Sequence, residues 1–140
     1  MADLEERELG AWRQAISLYP DVWPCLTELH ARGLRMALVS NCSHLTRPLL
    51  GWWRLGEHFD AIVLSCEVGL VKPDGAVLEL ALARLGGEPG AALLVDDAEA
   101  NLDTAAALGL AGCRMDRTES SLGGPYPVVS DMTGLLRLIG

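Results

Sequence analysis

The feature that most constrains this chain is a set of short, wholly apolar runs, each ending abruptly in polar residues. Met36 to Val39 runs into Ser40 and Asn41, Ala61 to Leu64 into Ser65, and Ala92 to Val95 into Asp96 and Asp97. Continuous apolar runs of this length fit strands covered on both faces, as in parallel sheets. The stretches between them have helical spacing. Leu9, Trp12, Ile16 and Tyr19 mark a helix over residues 4 to 19, and further helices are predicted from Asp21 to Arg32, Leu45 to Leu55, Asp74 to Leu85, through the alanine-rich stretch ending at Gly109, and from Met132 to Ile139. Asp21 is placed to cap the second helix and Gly33 to end it. Weaker strand signals lie near Cys113 to Met115 and Val128 to Val129. Strands alternating with helices predict a three-layer α/β/α sandwich around a mainly parallel sheet. In that architecture functional side chains gather at the carboxyl ends of the strands, where Ser40, Asn41, Asp96 and Asp97 fall.

Composition removes several function classes. With 140 residues, half of them apolar, the chain suits one domain. A net charge of −8 with only 11 Lys plus Arg argues against nucleic acid, whose binders concentrate positive charge. No apolar run approaches the roughly 20 residues of a membrane-spanning helix. The first residues lack the basic start and apolar stretch of a secretory signal. Cys25, Cys42, Cys66 and Cys113 are scattered without a C-x-x-C pair, so reduced thiols and a cytoplasmic location are expected.

Three segments occur in order: Val39-Ser40-Asn41-Cys42-Ser43, Gly69-Leu70-Val71-Lys72-Pro73-Asp74, and Leu94-Val95-Asp96-Asp97-Ala98-Glu99-Ala100-Asn101. The hydroxyl of Ser40 and an N–H of Asn41 can donate to phosphoryl oxygens. Lys72 precedes a proline, which favours extended backbone at the lip of a site, and its ammonium can offset phosphate charge. Adjacent carboxylates at Asp96 and Asp97 repel unless a cation compensates, and magnesium is the natural one, accepting a few carboxylates, waters and phosphate oxygens. His30, His44 and His58 have no metal-ligand spacing, and Trp52 and Trp53, successive on a helix, cannot both face one core.

In this order and spacing the three segments resemble the haloacid dehalogenase-like hydrolases, from about Tyr19 to the C-terminus, with Phe59-Asp60 and Ala107-Leu108-Gly109 as further shared features. The resemblance implies a Rossmann-like core over residues 20–140, with 1–19 the remnant of a helical cap. It also implies a magnesium-dependent phosphatase working on a small phosphorylated metabolite through an aspartyl phosphate. Ser40, Asn41 and Lys72 match its catalytic and phosphate-binding positions. Asp97 matches its principal metal acid, Asp96 a variable neighbour, and Asn101 a position supporting the metal shell.

The D-x-D-x-T segment that carries the family's attacking aspartate does not occur in these 140 residues. The expectation is that the first strand and most of the cap are missing, so that the chain alone is inactive. In the family that strand lies between those ending at Ser40 and Asp96. The two strands are therefore expected to pair directly, at about 5 Å, or to be bridged by another segment, a complementing chain or a second copy. A silent binding or interaction module on the same fold is the alternative. A phosphorylation-receiver domain fits poorly, since its acid pair comes first and its lysine last, whereas the order here is serine, lysine, acids.

Overall fold

The computed structural model describes residues 7–8, 18–118 and 124–140. The helix expected over residues 4 to 19, and with it the cap-remnant assignment, lies largely outside them. Helix α1 (Val22–Ala31) leads into strand β1 (Ala37–Ser40), followed by α2 (Thr46–Trp52), a 3-10 turn and β2 (Ala61–Leu64). A four-residue helix α3 (Ser65–Val68), α4 (Gly75–Leu85) and β3 (Leu93–Asp96) come next. Helix α5 (Glu99–Ala107), β4 (Ala111–Met115), β5 (Val128–Val129) and α6 (Met132–Ile139) complete the order.

All strand pairings among the described residues are parallel. The register of β1 on β2 sets Ala37 opposite Ala61 and Ser40 opposite Leu64, and that of β3 on β4 sets Asp96 opposite Arg114.

Alternation along each strand divides the core between two helix layers. Ala37 and Val39 of β1, Val63 of β2 and Leu94 of β3 pack on one side with Val77, Leu78 and Ala81 of α4 and Ala105 of α5. On the other side, Leu38 and Leu64 meet Leu26 of α1 and Leu50 of α2, while Val95 and Cys113 meet Cys25 and Leu29 of α1 and Leu135 of α6. This is the expected α/β/α layering. Full burial of a Leu or Val side chain contributes roughly 1.5–3 kcal/mol, so these clusters supply most of the drive to fold.

Of the two alternatives for the strands ending at Ser40 and Asp96, direct pairing is not what the structure has: β1–β2 form one sheet and β3–β4–β5 another. The lysine-bearing loop spans from the end of β1 to the end of β3 by side-chain bonds instead, as described below. Asp21 does not cap α1 with its side chain. Its carboxylate accepts two bonds from the Arg117 guanidinium, at 2.9 and 3.0 Å, and one from the Met132 N–H at 2.9 Å. A bidentate charged pair is roughly twice as strong per bond as a neutral one, so it outcompetes the cap. The guanidinium also lies 3.8 Å from the centroid of the Tyr19 ring.

No helix among the described residues is long and apolar enough to cross a membrane.

Candidate active site

Strand β1 delivers Ser40 and Asn41 to its carboxyl end because its N-terminal start is fixed. The Asp60 carboxylate accepts the Met36 N–H at 2.8 Å, and the Met36 carbonyl accepts the Asp60 N–H at 2.7 Å. This clasp explains why Asp60 follows Phe59 at the head of β2.

The lysine loop begins at Gly69, whose left-handed φ of 72° turns the chain out of α3. Asn41 holds that loop. Its side-chain oxygen accepts the Lys72 N–H at 2.8 Å and its amide donates to the Lys72 carbonyl at 2.9 Å. From the opposite side, the Thr104 hydroxyl of α5 donates to the Pro73 carbonyl at 2.8 Å, and Asp74 caps α4 by accepting the Ala76 N–H. The Lys72–Pro73 peptide is cis.

So positioned, the Lys72 ammonium lies 2.8 Å from Oδ2 of Asp96, and the two side chains are only 15% and 5% exposed. Asp96 takes two further donors, the Ala98 N–H at 2.9 Å and the Asn101 amide at 3.1 Å. Burial alone would push this carboxyl up, but the Lys72 ammonium, the Ala98 N–H and the Asn101 amide outweigh it and hold it below its ordinary value.

The structure therefore joins Asn41, Lys72, Asp96 and Asn101 into one connected network. Ser40 closes β1 beside it, half-buried, and Asp97 is exposed at the end of β3. Two readings sharpen. The Asn41 side chain is spent on the Lys72 backbone, accepting its N–H and donating to its carbonyl. Asp96, whose role was the less defined of the pair, is the partner of Lys72. Thr104 was not singled out from sequence, although it lies three residues beyond Asn101 on the same helix face.

The donor set suits a cation that keeps most of its water. Among the described residues Asp97 has no hydrogen-bond partner, and Asn101 keeps its amide oxygen after donating to Asp96. No cluster of three or more His, Cys, Asp or Glu occurs among the described residues, so they form no all-protein cage. Magnesium binds by one or two carboxylates with several waters, and this set is compatible with that. His58 instead packs edge-on against Trp23, with ring centroids 4.3 Å apart.

Comparison with known proteins agrees with this architecture. The model of the haloacid dehalogenase-like hydrolases matches residues 2–109. The chain is 32% identical over 109 residues to mouse acyl-CoA dehydrogenase family member 10, covering 78% of this chain and 10% of that protein. It is 37% identical over 86 residues to the phosphoserine phosphatase of Thermus thermophilus, covering 61% of this chain and 34% of that one. Among solved structures, a HAD phosphatase from Thermococcus onnurineus superposes with a TM-score of 0.87 at 24% identity, covering 98% of this chain and 64% of that chain, a likeness of fold. An α/β core with a hydroxyl, a lysine and an acid pair at the carboxyl ends of its strands fits the family whose model it matches. The chain belongs to the haloacid dehalogenase-like hydrolases. It spans about a tenth to a third of the two relatives named.

Proposed function

We propose that these residues form the phosphate-positioning and charge-neutralising part of a magnesium-dependent phosphatase acting on a small phosphorylated metabolite in the cytoplasm. The observation that carries this reading is the buried Lys72–Asp96 pair, held at the strand ends by Asn41 and Asn101. A buried ammonium fixed at the mouth of a site, with its backbone clamped on both sides, is preorganised to meet negative charge without reorganising.

In this reading the Ser40 hydroxyl and the Asn41 backbone N–H donate to non-bridging phosphoryl oxygens, and Lys72 offsets their charge. Asp96 orients Lys72 through the 2.8 Å contact with its ammonium. Asp97, with Asp96 and the amide oxygen of Asn101, would hold magnesium, which supplies further charge neutralisation on the phosphoryl group. None of these groups is the nucleophile. In this reading the attacking aspartate and its strand come from outside these 140 residues, in cis or from another chain, at the edges of β1 and β3 that pair with no strand among the described residues. The likeness to a phosphoserine phosphatase supports a phosphomonoester as substrate class.

The test is steady-state phosphate release from an aryl phosphate with magnesium. The expected result is no turnover by the 140-residue chain and turnover once a segment bearing D-x-D-x-T is added, with Lys72→Ala abolishing it. Robust turnover without that segment, lost in Asp97→Ala, would overturn the assignment of the attacking group. Stabilisation by phosphate with no turnover under any complementation would point to a silent binding module.

A further inference from the structure

Four cysteines are present and none is bonded to another. Cys25 and Cys113 are 2% and 0% exposed and belong to the core between α1, β4 and α6, where burial pushes both thiols up. Such thiols are inert small hydrophobes. Cys42 and Cys66 differ. Cys42 follows Asn41 in the loop after β1 and is half-buried, Cys66 is exposed in α3 just after β2, and their sulfurs stand 3.9 Å apart.

The two are brought together by the fold on either side of the sulfur contact. The parallel register places Ser40 opposite Leu64, and each cysteine lies two residues beyond its strand's member of that pair. Adjacent strands run about 4.8 Å apart, inside the range of Cα separations that disulfides span. Past the strand ends, Ser65 keeps the segments together: its hydroxyl oxygen accepts the Cys42 N–H at 2.9 Å and its O–H donates to the Cys42 carbonyl at 3.3 Å. Arg47 of α2 and Glu67 of α3 add a two-point ion pair, with Nη2 to Oε1 at 2.7 Å, that fastens the helices carrying the two loops.

We propose that Cys42 and Cys66 are an oxidation site, in which a peroxide converts the dithiol to an intramolecular disulfide that a thiol reductant reopens. Sulfurs already in contact need to close to about 2.05 Å, a movement that side-chain rotation can supply. Packing accounts for Cys42, which lies against the cluster of Leu26, Leu50, Leu55 and Leu64, but not for Cys66, an exposed residue that belongs to none of the core clusters.

Cys42 is the sulfur that attacks. Burial raises its thiol, but hydrogen bonds from the side chains of Thr46, Cys66 and Ser40 and from the Cys66 N–H outweigh it, and the thiol ends below its ordinary value. Cys66 is shifted up. One cysteine is thereby favoured as thiolate while its neighbour waits to resolve. The Cys42 thiolate attacks a peroxide oxygen, the S–O bond forms, the O–O bond breaks, and the departing hydroxide leaves as water. The Cys66 sulfur, giving up its proton, then attacks Sγ of the Cys42 sulfenic acid; the S–S bond forms, the S–O bond breaks, and the departing hydroxide takes up that proton and leaves as a second water. Two thiols are oxidised and one hydrogen peroxide is reduced to two waters.

The experiment treats the purified chain with hydrogen peroxide, alkylates the remaining thiols, and maps peptides by mass spectrometry without reduction. The expected product is a monomer lighter by about 2 Da, the two thiol hydrogens, with Cys42 and Cys66 in one cross-linked peptide that dithiothreitol separates. In Cys66→Ser the reaction should stop at a Cys42 sulfenic acid that dimedone captures. Should that variant not fold, the wild-type map decides alone. Unchanged alkylation of both residues, cross-links only between molecules, or oxidation confined to Cys25 and Cys113 would overturn the proposal.

Discussion

The side chain of Asn41 grips the backbone of Lys72 at both ends of one residue, accepting its N–H at 2.8 Å and donating to its carbonyl at 2.9 Å. The two lie 31 residues apart, on the loops after β1 and before α4. An amide is the side chain that can do both, since it carries a donor and an acceptor side by side. Asn41→Ala should therefore cost about 1–2 kcal/mol in stability, from two lost hydrogen bonds partly replaced by water. Asn41→Asp should lose less of the N–H bond but repel the carbonyl. Urea denaturation of the three proteins checks the order. An alanine variant as stable as wild type would show that the loop is held without this residue.

The Lys72–Asp96 pair makes a sharper demand. Lys72→Met leaves a buried carboxylate with the Ala98 N–H and the Asn101 amide as its remaining donors. Breaking one side of a buried pair typically costs 3–5 kcal/mol, and those two donors should bring the cost to about 2–4. Adding Asp96→Asn removes the uncompensated charge, so the double variant should regain part of the loss. Strict additivity in denaturant melts would mean that the two groups are not coupled.

Acid stability should report on Asp21. The Arg117 guanidinium, against a smaller opposing effect of burial and with help from the Met132 N–H, holds the Asp21 carboxyl below its usual range. A carboxyl lowered in the folded state stabilises fully above its unfolded value, near 3.9, and loses that contribution as pH falls through the lower folded value. Wild type should thus lose stability more steeply than Asp21→Asn below about pH 4, while the variant is less stable at neutral pH. Thermal melts between acid and neutral pH measure both. Parallel curves would remove the pair from the acid transition.

Much of this arrangement is legible in the sequence because it is dictated locally. The apolar runs fix β1 to β3, since no other environment suits several consecutive buried residues, and the capping aspartates at 74 and 131 place two helix starts. The four-residue helix Ser65–Val68 is not legible, because four residues carry no helical period. Bonds between distant segments were not legible. Asp21 looks like a cap until Arg117 arrives from 96 residues away. The sequence does not show that Asp96, the last residue of β3, meets Lys72 while Asp97, just past the strand, is exposed to solvent. The separation into two sheets also has no local signature, because an apolar strand carries no mark of which neighbour its edge will take.

That difference between adjacent carboxylates sets the last expectation, which concerns magnesium. Asp97 is exposed and has no hydrogen-bond partner among the described residues, so coordinating a cation breaks nothing there. At Asp96 a cation must compete with the Lys72 ammonium and two other donors. Binding should therefore be weak and should depend on Asp97 more than on Asp96 for the contact itself. A ligand that binds only the folded state raises its stability by RT ln(1 + [L]/Kd), so melting temperature should climb with magnesium only at concentrations comparable to the dissociation constant. Asp97→Ala should flatten that climb while leaving the metal-free melting temperature nearly unchanged, because an exposed, unbonded carboxylate contributes little to the fold. Lys72→Met should behave oppositely, lowering the metal-free value but sparing a magnesium response, since it removes the charged one of the two donors on Oδ2 of Asp96 and leaves the Asn101 amide there. Equal responses from wild type and Asp97→Ala would remove Asp97 from the metal site.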